Sequence, residues 1–194
     1  MLTEAPTSLR IAEVVLRTSR YDPMRAWYAA VLGIDPYYEH VPPMAAQGRA
    51  AHEDGEPSWA SRSRLCFFRL LLDHPYMQVI ALFDVPAAGL ADPVGPGLHH
   101  MQLRDASLVA MAVRYRRLKF LGIEPFRSVD HGPSLSFYYQ DPDRNVVEIS
   151  ASNHMSVEGY LAALASPAFK RDPSGRNVDA DGVTALICAL AEKP

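Results

Sequence analysis

Five side chains of this 194-residue chain are of the types that metal-assisted or acid–base chemistry needs: Glu13, His100, His131, Tyr138 and Glu148. An imidazole with two carboxylates is competent for a divalent metal of intermediate hardness, such as ferrous iron, manganese, nickel or zinc. Open positions on such an ion would accept a bidentate oxygen substrate. His131 is of the type that moves a proton near neutral pH, and a phenol such as Tyr138 can hydrogen-bond a substrate oxygen. A plainer reading competes with each of these. A single His or Glu on a strand is more often surface or satisfied core, Tyr138 could simply pack, and His131 could cap the turn before Gly132-Pro133. His74 and His99 are weaker candidates. If His100 faces inward, strand alternation turns His99 outward.

These residues lie far apart in sequence, so strands must bring them together. Residues 11–37 and 98–126 repeat one plan. Each opens with a strand ending in Leu-Arg (Leu16-Arg17, Leu103-Arg104), continues through a helix, and closes on LGIDPY or LGIEPF. Registered on the Leu-Arg pairs, Glu13 falls opposite His100. Strands are expected over Leu9–Thr18, Arg64–Leu72, Tyr76–Asp84, Leu98–Arg104, Pro125–Val129, Ser134–Tyr139 and Asn145–Ser150. Helices are expected from Asp22-Pro23 to Leu32, with Gly33 as its stop, and near Ser107–Leu121. On the first helix Met24, Trp27, Tyr28 and Val31 share a face. Asp141-Pro142-Asp143-Arg144 reads as a turn, Asp73-His74-Pro75 as another, and 40–63 as a long loop near the site. Two short helices are expected around Tyr160–Leu164 and Val183–Leu190.

The fold class expected is α+β. Two tandem βαβββ modules, 1–85 and 98–152, would be joined by a Pro/Gly-rich linker at 86–97 and followed by a helical tail at 153–194. One such module leaves a sheet face unburied, so the two should pair into a half-open mixed barrel around a cleft.

Composition narrows the function classes. A hydrophobic fraction of 48%, a charged fraction of 21% and a net charge of -3 suit a globular protein and give no basis for nucleic acid or membrane partners. No apolar run reaches the roughly 20 residues of a membrane span, and no secretory signal is visible. Cys66 and Cys188 stand alone in apolar stretches, as reduced buried thiols of a cytoplasmic protein would. No GxGxxG, P-loop, GxSxG or HExxH pattern occurs.

The segments at 12–33, 95–105 and 131–150, with the tail SPAFKRDPSGRNVDAD, resemble the vicinal oxygen chelate superfamily of glyoxalases, extradiol ring-cleavage dioxygenases and bleomycin-resistance proteins. The run His131–Glu148 and the tail look most like its single-chain extradiol-dioxygenase branch. That resemblance implies a divalent metal, ferrous iron first and Mn, Ni or Zn as alternatives, held by His100, Glu148 and the residue at position 13. It also implies His131 as the base and Tyr138 as the contact to the substrate oxygen. The extradiol pattern has a His where this chain has Glu13, and a glyoxalase-type fourth ligand would fall on Ala81. Three functions are therefore carried forward: an extradiol-like dioxygenase of a catechol-like or other vicinal-oxygen small molecule, a metal-dependent isomerase, epimerase or lyase, and a non-catalytic binding or resistance protein. A homodimer is left open.

Overall fold

The computed structural model describes residues 10–42, 63–73, 76–85, 98–172 and 174–192. Most of the expected 40–63 loop, the turn at His74-Pro75 and the 86–97 linker fall outside the described residues. The chain divides into two compact units, 1–92 and 93–194.

In the first unit, strand β1 (Glu13–Thr18) leads into helix α1 (Tyr21–Leu32). The short β2 (Tyr38–His40) follows, then the nine-residue strands β3 (Leu65–Asp73) and β4 (Tyr76–Asp84). The sheet order is β1-β4-β3-β2, with β1 parallel to β4 and the other pairs antiparallel. The expected strand from Leu9 begins only at Glu13 among the described residues. Gly33 ends α1 in the left-handed region (φ 73°), its N–H donating to the Ala29 carbonyl, a conformation glycine adopts without Cβ strain. The buried face of α1 is Tyr21, Met24, Tyr28 and Val31. Trp27, expected on that face, is half-buried and sits edge-on to Tyr28. Tyr28 meets Phe68 on the sheet face that also carries Ile80 and Val14. Alternation then puts Glu13, Val15 and Arg17 on the opposite face.

The second unit repeats the plan. Strand β5 (Met101–Arg104) leads into α2 (Leu108–Phe120). Strands β6 (Arg127–Asp130), β7 (Ser134–Gln140) and β8 (Val146–Ser152) follow. Ser107 caps α2 by accepting from the Ala110 N–H. Asp141 shapes the β7–β8 turn by accepting from the backbones of Asp143 and Asn145. Helices α3 (Val157–Ala165), α4 (Pro167–Arg171) and α5 (Ala180–Ala191) make up most of the tail. The tail is not purely helical: β9 (Arg176–Asn177) pairs with β6, giving the sheet order β5-β8-β7-β6-β9. Helix α2 buries Met111, Ala112, Tyr115 and Leu118, with Tyr115 edge-on to Phe137. Tyr115 O–H and Lys119 Nζ both donate to Asp181 at the start of α5.

The α+β class and the duplicated plan are thus as expected. Cys66 is buried, with burial pushing its thiol up, whereas Cys188 is only half-buried. Among the described residues no helix is long and apolar enough to cross a membrane.

Leu118 is fully buried between α2 and its sheet. Leu118→Ala should destabilise the protein by about 2–5 kcal/mol, read as a shift of the chemical-denaturation midpoint. A variant within about 0.5 kcal/mol of the parent would contradict this packing.

Candidate metal and acid–base site

The site grows out of the register of the second sheet. Gln102 on β5 pairs with Glu148 on β8, Glu148 pairs with Tyr138 on β7, and Tyr138 pairs with Arg127 on β6. Paired residues share a face, so these four form one row across the sheet. Helix α2 packs on the Phe137–Ile149 face, so the polar row lies on the other. Ser136 and Ser150, two residues along from Tyr138 and Glu148, are buried on the same face.

Glu148 is 4% exposed and sits at the centre of the row. A buried carboxylate is stable only with partners. Its Oε2 lies 3.0 Å from His100 Nε2, and its Oε1 accepts from the Gln102 amide at 2.7 Å. His100 was expected inside a strand. Instead β5 begins at Met101, and His100 stands one residue before it, on the Gln102 side by alternation. His99 is exposed, as expected, and its Nδ1 lies 2.7 Å from His100 Nδ1.

Tyr138 links the carboxylate to the second imidazole. Its hydroxyl lies 3.0 Å from His131 Nε2, and its ring centroid is 6.1 Å from that of His100. Burial first, and then the Glu148 charge, push the Tyr138 phenol above its ordinary value, against a smaller opposing effect of Arg127. Tyr138 therefore keeps its proton at neutral pH and remains a donor.

His131 is held by the turn that follows β6. Its N–H donates to the Ser134 carbonyl, while Asp130 Oδ1 accepts from the Gly132 N–H and from Asn153 Nδ2. Asp130, not His131, caps this turn. The tail closes in from below. Gly175 has φ +70°, and a Cβ there would lie 2.6 Å from the Asp130 carbonyl and 2.9 Å from His131 Cα.

Four of the five expected residues, His100, His131, Tyr138 and Glu148, therefore form one continuous cluster in the second unit. Glu13 belongs to the first unit, exposed on β1 and paired with Val79. With the repeats aligned on Leu-Arg, Val15 matches Gln102, and Val15 pairs with Ala81 as Gln102 pairs with Glu148. Ala81 thus holds in the first sheet the place that Glu148 holds in the second. Gln102, Asp130 and Gly175 were missed by sequence reasoning. The first carried no signal, since its importance lies in a partner 46 positions away.

Among the described residues no three His, Cys, Asp or Glu side chains gather as a metal-holding group. His100 Nε2 and Glu148 Oε2 are nonetheless a nitrogen–oxygen pair at a separation one ion can bridge, given ligand bonds of about 2.0–2.2 Å. The donors present fit two positions of a divalent ion of intermediate hardness.

No family model matches the chain. Biphenyl-2,3-diol 1,2-dioxygenase 2 of Rhodococcus globerulus is 32% identical over 170 residues, covering 88% of this chain and 77% of that protein. Biphenyl-2,3-diol 1,2-dioxygenase 3 of the same organism is 34% identical over 171 residues, covering 82% and 77%. The chain belongs to the vicinal oxygen chelate superfamily, in its extradiol-dioxygenase-like branch. Among solved structures, a glyoxylase/bleomycin resistance protein/dioxygenase domain from Frankia sp. EAN1pec gives a TM-score of 0.49 at 17% identity, covering 78% of this chain and 96% of that one. Lactoylglutathione lyase from Agrobacterium tumefaciens gives 0.44 at 20% identity, covering 76% and 96%.

Two measurements check this branch member's site geometry. Gly175→Ala should cost about 1–3 kcal/mol, the usual penalty for a side chain forced into positive φ, read by chemical denaturation; an unchanged midpoint would contradict the close approach to Asp130. In a spectrophotometric titration, Tyr138→Phe should leave the tyrosinate signal developing around pH 10 unchanged and remove signal only above it. The native phenol holds its proton more tightly than the unfolded one, whose ordinary value is 10.0. Its contribution to stability is therefore full below that pH and lost as pH rises through the higher native value.

Proposed function

We propose that the protein is a metal-dependent dioxygenase acting on a catechol-like small molecule, with a divalent metal held in its second unit by His100 and Glu148. The observation that carries this reading is the unbroken series His100–Glu148–Tyr138–His131, linked by contacts of 3.0 Å at either end, in a chain of the extradiol branch. Ferrous iron is the metal we favour, with manganese, nickel or zinc as alternatives. When bound, it would bring the two vicinal oxygens of the substrate and dioxygen together and exchange electrons with them.

The chain's own residues divide the remaining work. His131 Nε2 accepts the proton released as a substrate hydroxyl ionises. Tyr138, kept protonated by burial and by Glu148, turns its O–H from His131 to a substrate oxygen, which leaves His131 Nε2 open to that proton. Glu148, nearly excluded from water, is held between His100 and Gln102. This chain carries Glu13 where the extradiol pattern has an imidazole.

That exchange supports a second reading. Two carboxylates suit a redox-inert metal acting as a Lewis acid, so an isomerase, epimerase or lyase of a vicinal-oxygen compound is the alternative. The test is oxygen uptake by iron-reconstituted protein with a panel containing catechol, 3-methylcatechol and biphenyl-2,3-diol. Uptake should match loss of the diol, vanish in Glu148→Ala, and fall by roughly 10²–10⁴ in His131→Phe. No uptake by metal-loaded protein, with solvent deuterium entering a 2-oxo or 2-hydroxy compound, would overturn the dioxygenase reading in favour of the second.

A further inference from the structure

A carboxylate that is 4% exposed can rotate about its last torsion unless both oxygens are tied, and its two oxygens are chemically identical until a neighbour distinguishes them. In this protein the neighbours differ. Glu148 Oε1 accepts from Gln102 Nε2 at 2.7 Å, and Oε2 faces His100 Nε2 at 3.0 Å. The Gln102 contact follows directly from strand register, because β5 and β8 run parallel with Gln102 beside Glu148. Met101 and Leu103, the flanking residues of β5, turn to the other face and cannot substitute for it.

The side chain itself is solvent-exposed. Among the described residues its amide makes one polar contact, to Glu148, so it contributes little to the core and has a single evident task.

We propose that Gln102 is a positioning residue for the metal carboxylate, fixing which oxygen of Glu148 faces His100. This rests on the reading that His100 and Glu148 hold a divalent metal. The physical argument is that groups hydrogen-bonded to ligating side chains orient them and raise affinity. Removing such a partner commonly lowers metal affinity 10- to 100-fold. Without the amide, Oε1 would lose its donor in a nearly water-free place, and the carboxylate would be free to turn both oxygens toward the imidazole. Affinity should fall, and the ligand field should change with it.

The test uses Co(II), whose visible absorption reports its coordination, titrated into the metal-free full chain and into Gln102→Met, Gln102→Glu and Glu148→Ala. Methionine keeps the length and flexibility of the side chain without its donor. The expected result is Co(II) binding by the parent, loss of binding in Glu148→Ala, and a dissociation constant raised about 10- to 100-fold in Gln102→Met. The Gln102→Met visible spectrum should shift while the unfolding midpoint of the metal-free protein stays unchanged. Gln102→Glu, which sets a second carboxylate against Oε1, should also lose the parental spectrum. Parental affinity and spectrum in Gln102→Met would overturn the role of Gln102 while leaving the metal reading intact. A fall in metal-free stability that accounts for the lost affinity would overturn it too, by making the residue a structural support. If the parent binds no Co(II), or Glu148→Ala binds it as the parent does, the metal reading fails and the inference fails with it.

Discussion

The second unit is organised around one buried carboxylate. Glu148 lies on β8, between β5 and β7 and one strand in from the sheet edge, where an unpartnered charge would be costly. The two neighbouring strands meet that demand. Residues at the β5 end supply His100 and Gln102, and β7 supplies Tyr138. The same alternation that aims these polar groups at Glu148 turns Val147, Ile149, Phe137 and Leu135 onto the opposite face. There α2 covers Phe137 through Tyr115. Core and site are thus the two faces of one register. A one-residue slip would exchange them, so the packing that stabilises the unit also fixes the chemistry.

Duplication explains where donors occur and where they do not. The two units share strand order, parallel first–last pairing and a helix on one sheet face. They differ in what occupies equivalent places. The second unit carries His100 and Glu148. The first carries Glu13 and, at the position matching Glu148, the fully buried Ala81. An alanine there needs no partners, and its β1 neighbour is accordingly the apolar Val15 rather than an amide donor. Each sheet is consistent within itself: a buried acid is accompanied by a donor, and a buried methyl by a valine.

Much of this was legible in the sequence. The repeated Leu-Arg and LGI(D/E)P signatures located both strand–helix units, and alternation located β7 and β8. What escaped were features set by distant partners. β2 is three residues long, held by pairing to β3 and by the ion pair between Glu39 and Arg25 of α1. β9 is two residues that become a strand only beside β6. Its approach depends on Gly175, whose N–H donates to the Asp172 carbonyl and whose nearness to Asp130 and His131 no sequence signal carried. Gln102 reads as an ordinary exposed strand residue until the β5–β8 register is known.

The centre proposed for the second unit takes a single imidazole, His100, beside the Glu148 carboxylate, where the extradiol pattern has two imidazoles. X-ray absorption at the iron edge of the reconstituted protein tests it most directly, comparing the parent with His100→Gln. Outer-shell scattering from one imidazole is expected in the parent and none in the variant. Scattering from two imidazoles, or a single-imidazole pattern that survives His100→Gln, would contradict it.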